Sequence, residues 1–321
     1  MARKSLTICL VLAGGLALAF VPLLLRNYGI YLLSQWAVFV IAAMGLNLTL
    51  GYAGQISLAQ GAFVGIGAYV AALLTINGWP LGLAVVLALV MCFAIGWVLG
   101  YPALRVKHHY LAFVTLAFST LAFLVFRNEE WLTGGIYGIS GVPRPSILGY
   151  ELGRPMPFYE FCLAVLALVT AGMAWLIRSP WGRAFTALRE NPVRALSLGV
   201  DTRLYTLMAF AMGSALGGLA GVLYAPLVQF VDPPAFALQL SLNLLLMVIV
   251  GGQGYFFGPF LGAAIAVLLP EWLRFADAYY LVIYAVVVMV LLVVCPQGII
   301  GLCERLVERL RTAPVGPRRP A

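Results

Sequence analysis

RSPWGRAFTALRENPVRALSLGVDTR, residues 178–203, is the longest basic polar interruption in an otherwise strongly apolar chain. It carries Arg178, Arg183, Arg189, Arg194 and Arg203 against only Glu190 and Asp201, so the positive-inside rule puts it in the cytoplasm. The loop also has the marks of folded structure. Ser179 is an N-cap residue with Pro180 at the first helical position, and Trp181, Phe185 and Leu188 follow at helical spacing. Asn191–Pro192 ends that helix and opens a second, Pro192–Leu198, because proline lacks the amide a helix interior needs and restricts the residue before it. Gly199 suits a left-handed C-terminal stop, and Asp201 or Thr202 caps the span beginning near Leu204. Two readings follow: basic helices resting on lipid headgroups with snorkelling arginines, or a docking surface for a partner.

Working outward, the 321 residues are 63% hydrophobic and 9% charged, against about 25% charged in soluble domains. This is an all-α, polytopic helical membrane protein. At about 20 residues per span the length allows about ten. Cys9, Cys92, Cys162, Cys295 and Cys303 sit in or beside apolar runs without paired spacing, so they read as small membrane-helix residues and not as disulfides or metal ligands. The net charge of +8 is a question of sidedness, not of nucleic acid.

The spans expected are Ser5–Leu25, Ile30–Leu50, Gly61–Ile76, Leu81–Tyr101, Tyr110–Phe126, Phe161–Ile177, Leu204–Val228, Leu238–Val250, Gly258–Leu273 and Tyr279–Val294. The first exceeds a signal-peptide core and is expected to be retained, although Ala17-Leu18-Ala19 mimics a cleavage site. With both termini cytoplasmic, fourteen Lys and Arg fall inside and five outside (Arg26, Arg127, Arg144, Arg154 and Arg274), as the inside bias requires. His108–His109 lie at an inner interface, too far apart around a helix to share a metal. The organisation is a single membrane domain, 1–321, with an extracytoplasmic loop at 127–159, the cytoplasmic loop at 178–203 and a cytoplasmic tail at 297–321.

Polar chemistry concentrates where spans are interrupted. After Asn47 come Gly51, Gly54, Gln55, Ser57 and Gln60, and irregular backbone near a membrane is tolerated where protein buries it or a wet cavity borders it. Thr115 and Ser119 are hydroxyls within the fifth span, whose default partner is their own helix backbone. Asn243 precedes Gly251-Gly252-Gln253-Gly254, and the run from Asn243 to Gly-Ala-Ala echoes that from Asn47; corresponding glycine-interrupted segments point to a transport pathway. Gly61, Gly65, Ala68 and Ala72, like Gly213, Gly217 and Gly221, form small-residue faces for close helix packing.

No ionisable residue lies at the centre of an expected span, which argues strongly against proton coupling and less strongly against sodium coupling. The chain lacks G-x-x-x-x-G-K-[ST], G-x-S-x-G and H-E-x-x-H, so neither ATP hydrolysis by that route nor a hydrolytic site is expected. A pathway without its own energy source, joined to a docking loop, implies a partner that supplies it.

The loop residues Gly182, Arg183, Ala187, Arg189, Glu190, Asn191, Ala195 and Gly199 resemble the ATPase-contacting loop of the branched-chain amino acid permease family. Thr133-Gly134-Gly135 through Gly138, Gly141 and Pro143, the Asn47–Leu58 segment and the glycine run at Gly251 also resemble that family. The resemblance covers most of the chain and is nearest to the "M"-type permease subunit; Ala59-Gln60 departs from the usual Gly-His, which leaves substrate identity open between Leu/Ile/Val and urea or short amides. It implies an importer subunit in a bacterial inner membrane. Its partners would be a second related permease, two ATPase subunits holding ATP and Mg, and an extracytoplasmic binding protein facing Thr133, Gly134, Gly135, Gly138, Gly141 and Pro143; the chain itself would bind no cofactor. Asn47, Gly51, Gly54, Gln55, Ser57, Thr115 and Asn243 are the candidate pathway residues. A passive channel for small neutral solutes and a subunit with no pathway are the rival readings.

Overall fold

The computed structural model describes residues 22, 25–103, 108–147, 150–151, 153–295 and 297–311. The expected first span, Arg105, Lys107 and the end of the tail lie outside them. Helices account for almost all of the rest: α1 (Asn27–Leu46), α2 (Gln60–Ile76), α3 (Leu81–Ala103), α4 (His108–Asn128), the short α5 (Glu130–Thr133), α6 (Pro155–Arg178), α7 (Pro180–Glu190), α8 (Pro192–Ser197), α9 (Thr202–Val228), α10 (Leu238–Gly251), α11 (Gly258–Trp272), α12 (Tyr280–Val294) and α13 (Gly298–Arg311). Among the described residues seven helices are long and apolar enough to cross a membrane, and two more apolar ones, Gln60–Ile76 and Val282–Val294, are shorter. The protein is therefore a polytopic helical membrane protein.

Two helices form the centre. The spans built on α1 and α9 are each 78% buried, whereas α3, α4 and α6 leave most of their surface outward. What lets α9 sit inside is glycine. A Cβ on Gly45 of α1 would lie 2.5 Å from the Gly213 carbonyl oxygen, and one on Gly213 would lie 2.6 Å from that of Gly45. Against α2, a Cβ on Gly67 would overlap the Gly218 carbonyl, and one on Gly221 that of Val64. On its other side Gly218 admits Cys92 of α3. Helices associate in lipid through such close contact, because no hydrophobic force distinguishes a neighbouring helix from acyl chains. Of the expected glycine faces, Gly213 and Gly221 make these contacts; Gly45, Gly67 and Gly218, which complete them, lie outside the expected sets. Gln60 reinforces the crossing, its Nε2 donating to Ala42 O at 3.0 Å and Gly213 O at 3.1 Å.

The elements exceed the expected spans in two places. α1 continues as a π-helical segment, Asn47–Tyr52, before it breaks. α6 begins at Pro155 instead of Phe161, because Arg154 is extended and Pro155 and Pro157 are allowed in a first turn. The outer loop is correspondingly shorter, and it contains strand pairs that an all-α expectation omits: β1 (Ile139–Ser140) pairs antiparallel with β4 (Phe230–Val231), and β2 (Ser146–Ile147) with β3 (Tyr150–Glu151).

This packing predicts a contrast between glycines. Gly221→Leu should abolish recovery of monodisperse protein in detergent, since overpacking costs about 1–3 kcal/mol or more. Gly172→Leu in α6, where a Cβ meets nothing within 4 Å, should leave the size-exclusion profile and melting temperature unchanged.

Candidate functional site

The end of the bundle that carries the 178–203 loop brings four distant segments together. Its first component is the break after α1. The amides of Ala53, Gly54 and Gln55 bond to Leu48 O, Leu50 O and Thr49 O, a widened and then irregular ladder that passes over the Gly51 carbonyl. Thr49 Oγ1 donates to Leu46 O at 2.9 Å within the same turn. π-Segments of this kind recur at functional positions because they turn side chains and free backbone groups away from the helix.

The second component is the break after α10. Asn47 Oδ1 accepts from the Gly254 amide at 2.9 Å, and its Nδ2 donates to Tyr255 O at 3.0 Å. One partner is an obligatory donor and the other an obligatory acceptor, so the amide's orientation is fixed. A Cβ on Gly51 would strike Asn47 Oδ1 and the Gly254 amide, so glycine is required for the two breaks to touch. The echo in sequence is therefore a contact in space. Its two asparagines differ, however: Asn47 is buried between the breaks, and Asn243 is exposed on α10 beside exposed Gln239 and Leu242.

The third component is the 178–203 loop, which folds as its caps dictate. Ser179 Oγ accepts from the Trp181 amide, Asn191 Oδ1 from those of Val193 and Arg194, and Asp201 Oδ1 from those of Arg203 and Leu204. Phe185 and Leu188 are buried, Phe185 edge-on to Tyr205 with centroids 6.0 Å apart. Arg189 Nη1 then donates to Gly51 O at 2.6 Å, and its side chain lies where a Cβ on Gly254 would fall. Outward the loop presents Arg183, Glu190, Val193, Arg194, Leu196 and Leu198, the last 81% exposed. Gly182 is packed against the Ile177 backbone, and Gly199 has φ +82°. Ala187 is half-buried.

The fourth component is α13. A Cβ on Gly298 would strike the Gly252 backbone, and the Glu304 carboxylate lies beside Tyr255. Burial, followed by that carboxylate, raises the Tyr255 pKa, so its hydroxyl stays a donor throughout the neutral range.

The other candidate residues are distributed as follows. Thr115 Oγ1 accepts from the Leu58 amide at 3.0 Å, fixing the chain between the α1 break and α2 against α4. Ser57 accepts from the Ala59 amide, and Gln55 bonds to Ala53 O; all three side chains are buried. At the opposite end Thr133 is buried and donates to Phe126 O, and Gly134, Gly135, Gly138 and Gly141 all have positive φ, with Gly138 against Val231 O. Of the outer-loop set only Gly141 and Pro143 are exposed; the set builds the loop, and Trp131, Ile136 and Tyr137 are the large side chains it displays. Sequence reading missed that surface, and it gave Ser241 no role, whereas its Oγ accepts from the Gly61 amide at 2.9 Å and so satisfies a donor of the first turn of α2. Nothing in a lone serine announces a cap for another helix.

A polytopic bundle whose interrupted spans meet beneath a folded polar loop has the build of a membrane permease. The chain belongs to the branched-chain amino acid transport system permease component family, which matches residues 28–294. It is 32% identical over 288 residues to the high-affinity branched-chain amino acid transport system permease protein LivM of Escherichia coli K12, covering 82% of this chain and 68% of that one. To LivM of Salmonella typhimurium it is 30% identical over 304 residues, 87% and 71% of the two chains. To a probable LivM of Methanocaldococcus jannaschii it is 32% identical over 190 residues, 58% and 54%. No solved structure matches the chain.

Asn47→Asp tests the junction without changing shape. The charged oxygen that replaces Nδ2 would face the Tyr255 carbonyl, so the variant should melt lower and be cleaved faster at 251–257 in limited proteolysis, with a loss of about 1–3 kcal/mol. Wild-type behaviour of both would show that the bidentate contact does not hold the breaks together.

Proposed function

We propose that this chain is the membrane-spanning permease subunit of an ATP-driven importer for leucine, isoleucine and valine in a bacterial inner membrane. In this reading there are ten spans, the first being Ser5–Leu25, and both termini are cytoplasmic. A second related permease completes the pathway, two separate ATPase subunits bind and hydrolyse ATP with Mg, and an extracytoplasmic binding protein delivers the substrate. The names of the LivM relatives support the substrate class.

The observation that carries the reading is the 178–203 loop. It is anchored inward by the buried Phe185 and Leu188 and displays Val193, Leu196 and Leu198 beside Arg183, Arg194 and Glu190. An apolar patch rimmed by charge on a rigid support is a protein-docking surface. Gly182, Ala187, Asn191 and Gly199 give it shape, the last two as cap and stop.

A branched-chain amino acid is a zwitterion with an apolar side chain, so its route needs uncharged polar groups next to small apolar surface. Gln239 and Asn243 on the open face of α10 supply the amides; at membrane depth they belong against water or a second subunit, because an amide left against acyl chains is costly. Gln55, Ser57 and Thr115 shape the neighbouring chain through their backbone contacts, and Asn47, Gly51 and Gly54 set the break. Selection rests mainly with the binding protein, which would meet the Trp131–Tyr137 surface carried on Thr133, Gly134, Gly135 and Gly138 and continued by Gly141 and Pro143.

Reconstitution in liposomes with the candidate partners should give leucine uptake that requires ATP. Leu198→Asp should lose co-purification of the ATPase subunits, and uptake with it. Flux of a neutral solute such as urea through the isolated chain, without ATP or partners, would instead establish a passive channel.

A further inference from the structure

The Arg189 guanidinium points inward, along the junction, and that orientation gives it a job separate from docking. It takes a carbonyl of the α1 break that the local backbone ladder passes over, Gly51 O, at 2.6 Å. Its Cα and Cβ run along Gly54, where an added Cβ would sit 3.4–3.5 Å from them, and its Nη1 occupies the space a side chain at 254 would need. Gly54 and Gly254 both have positive φ, +71° and +80°, so each is glycine for backbone reasons as well as for space. One side chain on the loop thus lies across both interrupted spans, which are tied to each other by Asn47. Phe185 and Leu188 hold the same helix by apolar contact, which has no direction and permits sliding; the Arg189 hydrogen bond is directional and fixes α7 to one backbone atom.

We propose that Arg189 is the positioning residue that converts displacement of the 178–203 loop into movement of the two breaks, so that transport per ATP depends on it while assembly does not. The proposal rests on the importer reading above. Arg183, Glu190, Val193, Leu196 and Leu198 face outward to the partner; Arg189 reads the partner's motion into the membrane.

The experiment compares wild type, Arg189→Ala, Arg189→Lys and Gly254→Ala in the reconstituted complex, measuring ATPase co-purification, ATP hydrolysis and leucine uptake in the same vesicles. Arg189→Ala is expected to keep co-purification and hydrolysis and to lower uptake per ATP by about tenfold, within the roughly 5–150-fold range of coupling between sites. Arg189→Lys should restore much of it, since a single monodentate bond to Gly51 O is within reach of an ammonium. Gly254→Ala, whose methyl displaces the guanidinium, should uncouple in the same sense while leaving Arg189 in place. Unchanged uptake per ATP in Arg189→Ala overturns the proposal. So does loss of co-purification in step with uptake, which makes Arg189 a docking contact, and so does an Arg189→Lys no better than Ala. Absence of ATP-dependent uptake in wild type is the separate failure of the importer reading itself, and it removes the proposal too.

Discussion

The amide of Asn47 closes two breaks in the membrane backbone on one another. A span that stops being helical leaves N–H and C=O groups without partners in a medium that offers none. Here the break after α1 and the break after α10 satisfy each other: Asn47 takes the Gly254 amide and gives to the Tyr255 carbonyl. That exchange needs the chains at van der Waals distance, and Gly51 is glycine because anything larger would strike both the amide and its partner. The same logic at larger scale assembles the bundle, since α9 enters the centre only where Gly213, Gly218 and Gly221 let carbonyls of neighbouring helices approach.

From that constraint the functional geometry follows. The junction lies under the 178–203 loop, and α13 closes it from the side through Gly298 and Glu304. Loop, tail helix and two interrupted spans therefore share one small region, while α3, α6 and α12 present aliphatic surface. In the importer proposed above, this is the place where a displacement of the loop reaches the two breaks without crossing an intervening layer of side chains.

Much of this was legible in the chain. The loop helices announced themselves through Ser179, Pro180, Asn191, Pro192 and Asp201, because capping is local chemistry that three or four residues specify. The polytopic helical character was legible from length and hydropathy, although seven helices and not ten among the described residues are long and apolar enough to span, and glycines four apart announced only part of the packing faces. What failed to show was who touches whom. Asn47 and Asn243 occupy equivalent places in the apparent repeat, yet one clamps the junction and the other stands exposed, a difference made by helices distant in sequence. Arg189 was marked by the loop's family resemblance as a partner contact, but its reach to Gly51 O is set by where α7 docks. The outer-loop glycines carried the visible pattern, but they bend the chain, and the exposed surface belongs to the unpatterned Trp131, Ile136 and Tyr137.

The central claim is that the two breaks move as one unit with the loop above them. Hydrogen–deuterium exchange of the assembled complex, nucleotide-free against ATP-trapped, reads it directly at the amides of 51–59 and 251–257. The account requires both segments to change protection together, in the same direction and with the same nucleotide dependence as 185–191. A change confined to the loop, or to one break with the other unmoved, would contradict it.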